Sequence, residues 1–284
     1  MERIHTPKKL VSYLLLSGFA MTMVLPFLWM ISASFKPREE IESLNFIPKH
    51  PQPENYLVVW GLRNPKGEDK PLDIHFGKWY FNSVFIASWV TILQVLTSSM
   101  AAYAFSRIRW KGRDKVFLLY LATMMIPGVV LMVPNYEIMY KLRLINSYQG
   151  LIIPAAFSAF GTFLMRQFMM TIPPAMDEAA EIDGASHWQI FWDVIVPLAR
   201  PGMITLAIFT FMGNYQSFFW PLVMIKDDWL RTLPIGMLNF QGIYGPQIEY
   251  LMAASFMCII PLILIFVAFQ KFLVRGIQLG AVKG

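Results

Sequence analysis

One acidic segment between two long apolar runs decides the fold: Ile172-Pro-Pro-Ala-Met-Asp-Glu-Ala-Ala-Glu-Ile-Asp-Gly-Ala-Ser-His-Trp-Gln-Ile-Phe-Trp-Asp-Val-Ile-Val-Pro-Leu-Ala-Arg-Pro201. Pro173 and Pro174 suit the start of a helix, where a missing N–H group costs little. Gly184 can take the left-handed conformation that stops a helix, and Ser186 with Gln189 has capping-box spacing for a second one. The segment therefore predicts a helix, a turn and a second helix.

The two predicted helices differ in polarity. Asp177, Glu178 and Glu181 lie near the positively polarised start of the first helix, where acidic side chains are favoured. Pro197 is expected to end the second helix, because proline removes a backbone donor. The apolar face of that second helix comprises Ile190, Phe191, Val194 and Ile195.

This loop spans about residues 172–200. Its tip combines acidic and small side chains, which suit binding in a groove on another protein. The small residues permit close backbone approach, and the acids can pair with basic groups of a partner. A loop lying on the membrane surface is the alternative, but such helices are usually rich in Lys and Arg. The residues expected to dock are Glu178, Ala179, Ala180, Asp183, Gly184 and Ala185.

The rest of the chain is strongly apolar. Of its 284 residues, 56% are hydrophobic and 15% charged, with a mean hydropathy of +0.48, whereas a soluble domain has about a quarter charged residues. A helix needs about 20 apolar residues to cross the bilayer. We therefore predict an all-α integral membrane protein, a single domain over residues 1–284 with six transmembrane helices. The six uncharged runs lie at about 10–34, 83–105, 116–135, 147–165, 201–220 and 251–270.

Orientation follows from the basic residues of the short loops, which stay in the cytoplasm. The segment from Arg107 to Lys115 has five basic residues in nine positions, and under six crossings it lies on the same side as both termini. We therefore expect both termini and the loop at 172–200 to be cytoplasmic. The loops at about 35–82 and 222–250 are then outside.

No catalytic or metal-binding constellation stands out in the sequence. The single cysteine, Cys258, lies in an apolar run and is expected to pack as a small hydrophobe. No G-x-x-x-x-G-K-S/T phosphate loop occurs, so any ATP hydrolysis must take place on another chain. The first apolar run is too long for the core of a signal peptide, and no cleavable leader is expected.

A short group of polar residues ends the fifth apolar run. Amides are costly against lipid and tend to face the interior of a helix bundle, where amides and aromatic faces suit a hydroxyl-rich substrate. Hydrogen bonding between helices is the alternative role. The residues expected to line a pathway are Asn214, Tyr215 and Gln216, with Gln94, Asn135 and Glu137 as weaker examples of the same kind.

The acidic loop also resembles a known motif. Glu178-Ala-Ala180, Asp183-Gly-Ala185, Phe191, Pro197 and Pro201 match, in type and spacing, the EAA loop of binding-protein-dependent ABC importer permeases. Further stretches are similar to the carbohydrate branch of that family, especially its maltose-type second permease. These stretches are Phe46–Tyr56, Phe81–Ser83, Ala102-Tyr-Ala-Phe-Ser-Arg107, Met125-Ile-Pro-Gly128, Trp220-Pro-Leu222 and the tail Gly276–Gly284. The family often has Trp-Asn where this chain has Tyr215-Gln216, so substrate contacts there are expected to differ.

The resemblance implies a type I importer permease with several partners. Two permeases would form a heterodimer in a bacterial plasma membrane, and two copies of a separate ATPase, holding ATP and Mg²⁺, would dock below. The EAA loop would couple to the ATPase, and the chain itself would be non-catalytic. Val282, Lys283 and Gly284 would reach the ATPase interface, with a frayed terminus as the alternative.

On the outer side the resemblance implies a solute-binding protein. A loop carrying Gly242, Tyr244 and Gly245 would contact it, with an ordinary extracellular turn as the alternative. The implied cargo is an oligosaccharide or related glycoside. An acidic or phosphorylated glycoside is a second possibility, although the absence of basic residues within the predicted spans favours a neutral one. A secondary transporter commonly has ionisable residues within its spans, and none is evident here.

Overall fold

The computed structural model describes residues 6–43, 45–66, 74–242 and 245–281 of the chain. The helices of the first half are α1 Thr6–Ser34, α2 Arg38–Ile41, α3 Glu54–Val59, α4 Phe76–Ser106, α5 Arg113–Ala122, α6 Met132–Lys141 and α7 Tyr148–Ile152. Those of the second half are α8 Ala159–Met170, α9 Ala175–Ile182, α10 His187–Gln189, α11 Val196–Tyr215, α12 Phe219–Met224, α13 Leu233–Gly236 and α14 Ile248–Ala281. Two two-residue strands, β1 Gln241–Gly242 and β2 Gly245–Pro246, pair antiparallel.

Shorter helical turns connect these elements. Three-residue or four-residue 3₁₀ turns lie at Thr123–Met125, Pro154–Ala156, Asp228–Leu230 and Met237–Phe240, and a π-helical turn lies at Ile190–Ile195. The described residues divide into two compact units. One comprises those of Met1–Phe76 and Met237–Ile260, and the other those of Gly77–Gly236 and Pro261–Gly284.

In the first unit, the segment that follows α1 folds back onto the end of that helix. Lys36 is fully enclosed, with its ammonium group 4.2 Å from the centroid of the Trp29 ring, and it donates to the carbonyl of Ser43 at 3.3 Å. The Asn55 amide donates to the carbonyls of Ser34 (2.9 Å) and Lys36 (3.1 Å). These bonds satisfy carbonyls that the end of a helix leaves free, so the described part of the chain just after α1 is folded against that helix.

The second unit has its core where α4, α8 and α11 meet. Gly202 lets α11 and α8 approach closely, because a Cβ there would lie 2.5 Å from the Phe168 ring of α8. The buried cluster around this contact comprises Ala102, Tyr103, Met165, Met169, Ile172, Ile190, Phe191, Ile195, Ala199 and Leu206.

The length and composition of the helices suit a membrane protein. Among the described residues, four helices are long and apolar enough to span a bilayer: Lys9–Ser34, Phe76–Ser106, His187–Tyr215 and Ile248–Lys271. A fifth span is formed if Tyr148–Ala156 and Ala159–Met170 act together across a bend of 43°. The predicted helical membrane fold is confirmed, although several helices begin or end beyond the predicted limits.

The predicted third span, 116–135, does not form one helix. Helix α5 ends at Ala122, a 3₁₀ turn follows, and Ile126 is extended with φ −84° and ψ 117°. The residue before a proline is driven out of the helical region, so Pro127 accounts for the break. The chain becomes helical again only at Met132.

The prediction that Pro197 ends the second helix of the acidic loop is wrong. Helical structure is continuous from His187 to Tyr215, through the π-helical turn that precedes α11. Pro197 is the second residue of α11 and directly follows the π-helical turn, where the regular i→i−4 hydrogen bonding is already interrupted, so its missing N–H costs little. The wider π turn therefore lets the chain pass this proline without stopping.

Candidate functional site

The acidic loop folds as a helical elbow, which we define as residues 172–200. Helix α9 stops at Gly184, whose φ of +82° lies in the left-handed region. The Ser186 hydroxyl then accepts from the N–H of Gln189 at 3.4 Å, and the Gln189 side chain accepts from the N–H of Ser186 at 2.9 Å. The predicted helix–turn–helix and its capping box are confirmed.

The elbow has one buried and one exposed face. Ile190, Phe191 and Ile195 are buried in the core of the second unit, as predicted from their spacing, and Ala180 and Ala185 pack against that core. The remaining predicted docking residues, Glu178, Ala179, Asp183 and Gly184, are exposed.

Sequence reasoning missed an apolar part of the exposed face. Ile182 is 87% exposed and Trp188 is 58% exposed, and both lie next to the acidic tip. Single exposed apolar residues are common, but neighbouring ones rimmed by polar groups mark interaction surfaces. The sequence did contain a signal for this exposed apolar residue. Ile182 lies within the acidic motif and does not belong to the apolar face of either helix.

A buried ion pair attaches α9 to the end of α4. The guanidinium of Arg107 donates to the Asp177 carboxylate at 2.9 Å, to the carbonyl of Ile172 at 2.7 Å and to the carbonyl of Met169. The two charged side chains are only 8% and 15% exposed. Burial raises the pKa of Asp177, while the attraction of Arg107 lowers it and the neighbouring acids Glu181 and Glu178 raise it further.

A second attachment is apolar. The Tyr103 ring of α4 lies 5.3 Å from the Phe191 ring of the elbow, measured between centroids. Because both rings belong to the buried cluster, the second half of the elbow is fixed by close packing. The elbow thus has an exposed acidic and apolar tip, while its second half is packed in the core of the second unit.

A cavity of about 240 Å³ lies elsewhere in the second unit. Its wall includes the indole of Trp220, whose N–H is already used by the carbonyl of Gly150 at 3.1 Å. None of the described residues that line it is charged. The polar and aromatic residues of its wall are Ser83, Asn135, Asn214, Ser217, Trp220 and Thr232.

The structure separates the residues that were expected to line a pathway. Asn214 lines the cavity, and its amide nitrogen donates to the carbonyl of Thr210 at 2.8 Å. Tyr215 is buried against Phe211, with ring centroids 5.8 Å apart, and Gln216 is exposed. Neither is among the residues that line the cavity.

The three weaker pathway predictions also have different outcomes. Asn135 lines the cavity. Gln94 donates to the hydroxyl of Thr210 at 3.0 Å, which is the bond between helices that was the alternative reading of such residues. Glu137 pairs with Lys141 at 2.7 Å on an exposed surface. The cavity therefore gathers residues from five separate stretches, which spacing along the sequence does not reveal.

Two other predicted sites are described only in part. Gly242 and Gly245 face each other in the β1–β2 hairpin, while Tyr244 lies outside the described residues. Val282, Lys283 and Gly284 also lie outside them. Within the described ranges, no group of three or more His, Cys, Asp or Glu side chains is placed to hold a metal ion.

This fold defines a class: a helical integral membrane protein that carries an exposed acidic helix–turn–helix next to one of its long apolar helices. Residues 94–279 match the family described as the inner membrane component of binding-protein-dependent transport systems. This chain belongs to that family, whose members are permeases served by a separate ATPase. The predicted family, inner-membrane location and non-catalytic role are confirmed.

Individual relatives are similar over their full length. The arabinooligosaccharides transport system permease protein AraQ of Halalkalibacterium halodurans is 34% identical, with all of both chains covered. The trehalose/maltose transport system permease protein MalG of Thermococcus litoralis is 34% identical over 93% of each chain. A crystal structure of a bacterial ABC transporter involved in import of the acidic polysaccharide alginate superposes with a TM-score of 0.81 and 24% identity, covering 95% of this chain and 98% of the other. That structural likeness shows the fold.

Proposed function

We propose that this chain is a pore-forming subunit of an ATP-driven importer for a neutral oligosaccharide or related glycoside, and that it acts as a single permease domain. The full-length likeness to the arabinooligosaccharide permease carries the sugar assignment, and the trehalose/maltose relative supports the same cargo class. The cavity supports a neutral cargo, because hydroxyl, amide and indole groups suit sugar hydroxyls and sugar rings, and no described residue that lines it is charged.

We infer that the cavity holds part of the passing sugar. Its volume of about 240 Å³ is below the range of about 300–1,000 Å³ of most ligand pockets, so it suits a single ring better than a whole oligosaccharide. Asn214 and Asn135 supply amide groups, and Trp220 supplies an aromatic face. The remaining contacts with the cargo come from a second permease, with which this chain forms a heterodimer.

The elbow is the proposed docking surface for the ATPase, whose subunits hold ATP and Mg²⁺. Its exposed acids, Glu178 and Asp183, would pair with basic groups, while Ile182 would enter an apolar pocket of the partner. A surface that lies flat on anionic lipid would instead be basic. Ala179, Ala180, Gly184 and Ala185 allow the partner to approach the backbone closely.

The remaining assignments concern orientation and the ends of the assembly. The basic segment Arg107–Lys115 favours a cytoplasmic elbow with both termini on the same side. The β1–β2 hairpin around Gly242, Tyr244 and Gly245 is then external, where it would contact a solute-binding protein. Val282, Lys283 and Gly284 would extend toward the ATPase.

The test is transport by the complete assembly. The chain would be purified with its second permease, ATPase and binding protein, and placed in proteoliposomes. An arabino-oligosaccharide, trehalose and an alginate oligosaccharide would be supplied separately. We expect a neutral sugar to stimulate ATP hydrolysis and to accumulate, and we expect bulky residues at Glu178 and Gly184 to abolish both effects.

Three results would overturn the proposal in different ways. Stimulation by the alginate oligosaccharide alone would show an acidic cargo. Uptake driven by an ion gradient without ATP would show a secondary transporter. Normal coupling of ATP hydrolysis to uptake with bulky residues at Glu178 and Gly184 would show that the elbow is not the ATPase contact.

A further inference from the structure

The side chain of Arg107 joins three elements of the second unit. It follows α4 directly and donates to the last turn of α8 through the carbonyl of Met169, to the carbonyl of Ile172, and to the Asp177 carboxylate in the first turn of α9. Only a guanidinium offers donors to so many acceptors in a fixed plane. One side chain therefore connects α9 to the ends of α4 and α8.

Apolar packing of α9 is slight, because no residue of α9 is buried and only its Ala180 packs against the buried cluster. A polar cavity of about 580 Å³ lies between the segment after α4 and the first half of the elbow. Ser106, Arg109 and Arg113 line one side of it, and Glu178 and Glu181 line the other. The Arg107–Asp177 pair reaches across this space, whereas the second half of the elbow is held by the apolar contact of Tyr103 with Phe191.

The Arg107–Asp177 pair is also expected to contribute little net free energy to the stability of the fold. Arg107 Nε and Asp177 Oδ1 are enclosed and have no hydrogen-bond partner, and burial outweighs the attraction of Arg107 in raising the pKa of Asp177. Burying two charges often costs as much as their attraction returns.

We propose that Arg107 and Asp177 are positioning residues that transmit displacement of α9 to α4 and α8 when the ATPase moves the elbow. The inference rests on the proposed docking of the ATPase at the elbow and adds the route by which its motion reaches the pore. Asp177 does not contact the ATPase in this account; it acts through Arg107.

The experiment compares three variants in the complete proteoliposome assembly. Asp177→Asn keeps the shape but removes the charge, Arg107→Lys keeps the charge but loses the planar set of donors, and Arg107→Met with Asp177→Leu replaces the pair by apolar groups of similar size. For each we would measure ATPase co-purification, ATP hydrolysis stimulated by the binding protein, and sugar transported per ATP. We expect a fall in the sugar transported per ATP, with the ATPase still bound.

The matched control is Asp114→Asn. Asp114 pairs with Arg166 and Arg113 on the same face of the protein, but it is 72% exposed, so its variant should keep the wild-type ratio. Hydrogen exchange of the α9 amides in the isolated permease gives a readout that needs no sugar. We expect faster exchange of α9 in Arg107→Lys, which loses the planar donors that bind the carbonyls of Met169 and Ile172, and no change in Asp114→Asn.

The outcomes are distinguishable. If the wild type is coupled and the apolar double variant is coupled equally well, the positioning role is wrong while the proposed function stands. If α9 exchange is unchanged in every variant, the pair does not hold α9 and the inference also fails. If the wild-type assembly itself shows no ATP-coupled uptake, the proposed function fails, and the route of coupling fails with it.

Discussion

The elbow and the cavity are built in opposite ways. The elbow is one continuous stretch, 172–200, in which acids, small residues and exposed Ile182 follow local rules of helix starts and stops. The cavity draws its wall from residues as distant as Ser83 and Thr232, and none of its described lining residues is charged. The proposed contact with the ATPase and the proposed contact with the cargo therefore lie on surfaces that mutation can separate.

The largest expected effect tests the apolar tip of the elbow. Ile182→Asp should weaken binding of the ATPase about 30-fold or more, because central apolar contacts of an interface often contribute about 2 kcal/mol or more. Titration of the ATPase onto the permease in nanodiscs measures it. Leu62→Asp is the control, since Leu62 is 75% exposed but lies outside the elbow. Unchanged affinity of the Ile182 variant would remove this residue from the docking surface.

The next prediction tests the wall of the cavity. A Cβ at Gly150 would lie 2.2 Å from the carbonyl oxygen of Leu144 and 2.5 Å from the terminal methyl of Met224. Gly150→Ala should therefore destabilise the permease by about 1–3 kcal/mol, the usual cost of overpacking. Thermal unfolding in detergent would measure the loss. Gly213→Ala, which meets no atom within 4 Å, serves as the control, and equal unfolding temperatures would contradict the packing described.

A smaller effect is expected on cargo binding. Asn214→Ala removes an amide that lines the cavity, and losing one hydrogen bond of about 1 kcal/mol raises the sugar concentration for half-maximal uptake about fivefold. Gln216→Ala removes a neighbouring amide outside the cavity and should change little. The reverse order of effects, measured in the same uptake assay, would place Gln216, and not the cavity, in contact with the cargo.

The elbow and the cavity also differ in how much of their structure the sequence predicts. The elbow follows from Gly184, Ser186 and Gln189, whose roles depend on neighbours within a few residues. The error at Pro197 arose because a π-helical turn depends on tertiary packing of Ile190 and Ile195, which no local rule contains.

The cavity lies beyond such rules for a different reason. Hydropathy identifies a span but does not say which of its polar residues meet in space. Asn214 and Asn135 line the cavity, whereas Tyr215, one residue from Asn214, is packed away in the core. The break of the third apolar run could have been predicted from Pro127, but a count of uncharged residues takes no account of prolines.

The smallest expected effect concerns the pH dependence of stability. Burial raises the pKa of Asp177 above its ordinary value of 3.8 in the folded chain, so the fold favours the protonated acid. The stability from this group is present below the ordinary pKa and is lost as pH rises through the raised one. The Asp177→Asn variant should lack this decline, which unfolding measured between pH 4 and 7 would show as a flatter dependence of stability on pH than in the wild type. Parallel curves for the two proteins would contradict the assigned direction.

The most direct test of the account is the accessibility of the elbow tip. Asp183→Cys, in a chain whose single cysteine Cys258 is replaced by Ser, would be treated with a membrane-impermeant maleimide in right-side-out and inverted vesicles. We predict labelling from the cytoplasmic side only, with protection when the ATPase is bound. Labelling from the outside, or equal labelling with and without the ATPase, would contradict the coupling role of the elbow.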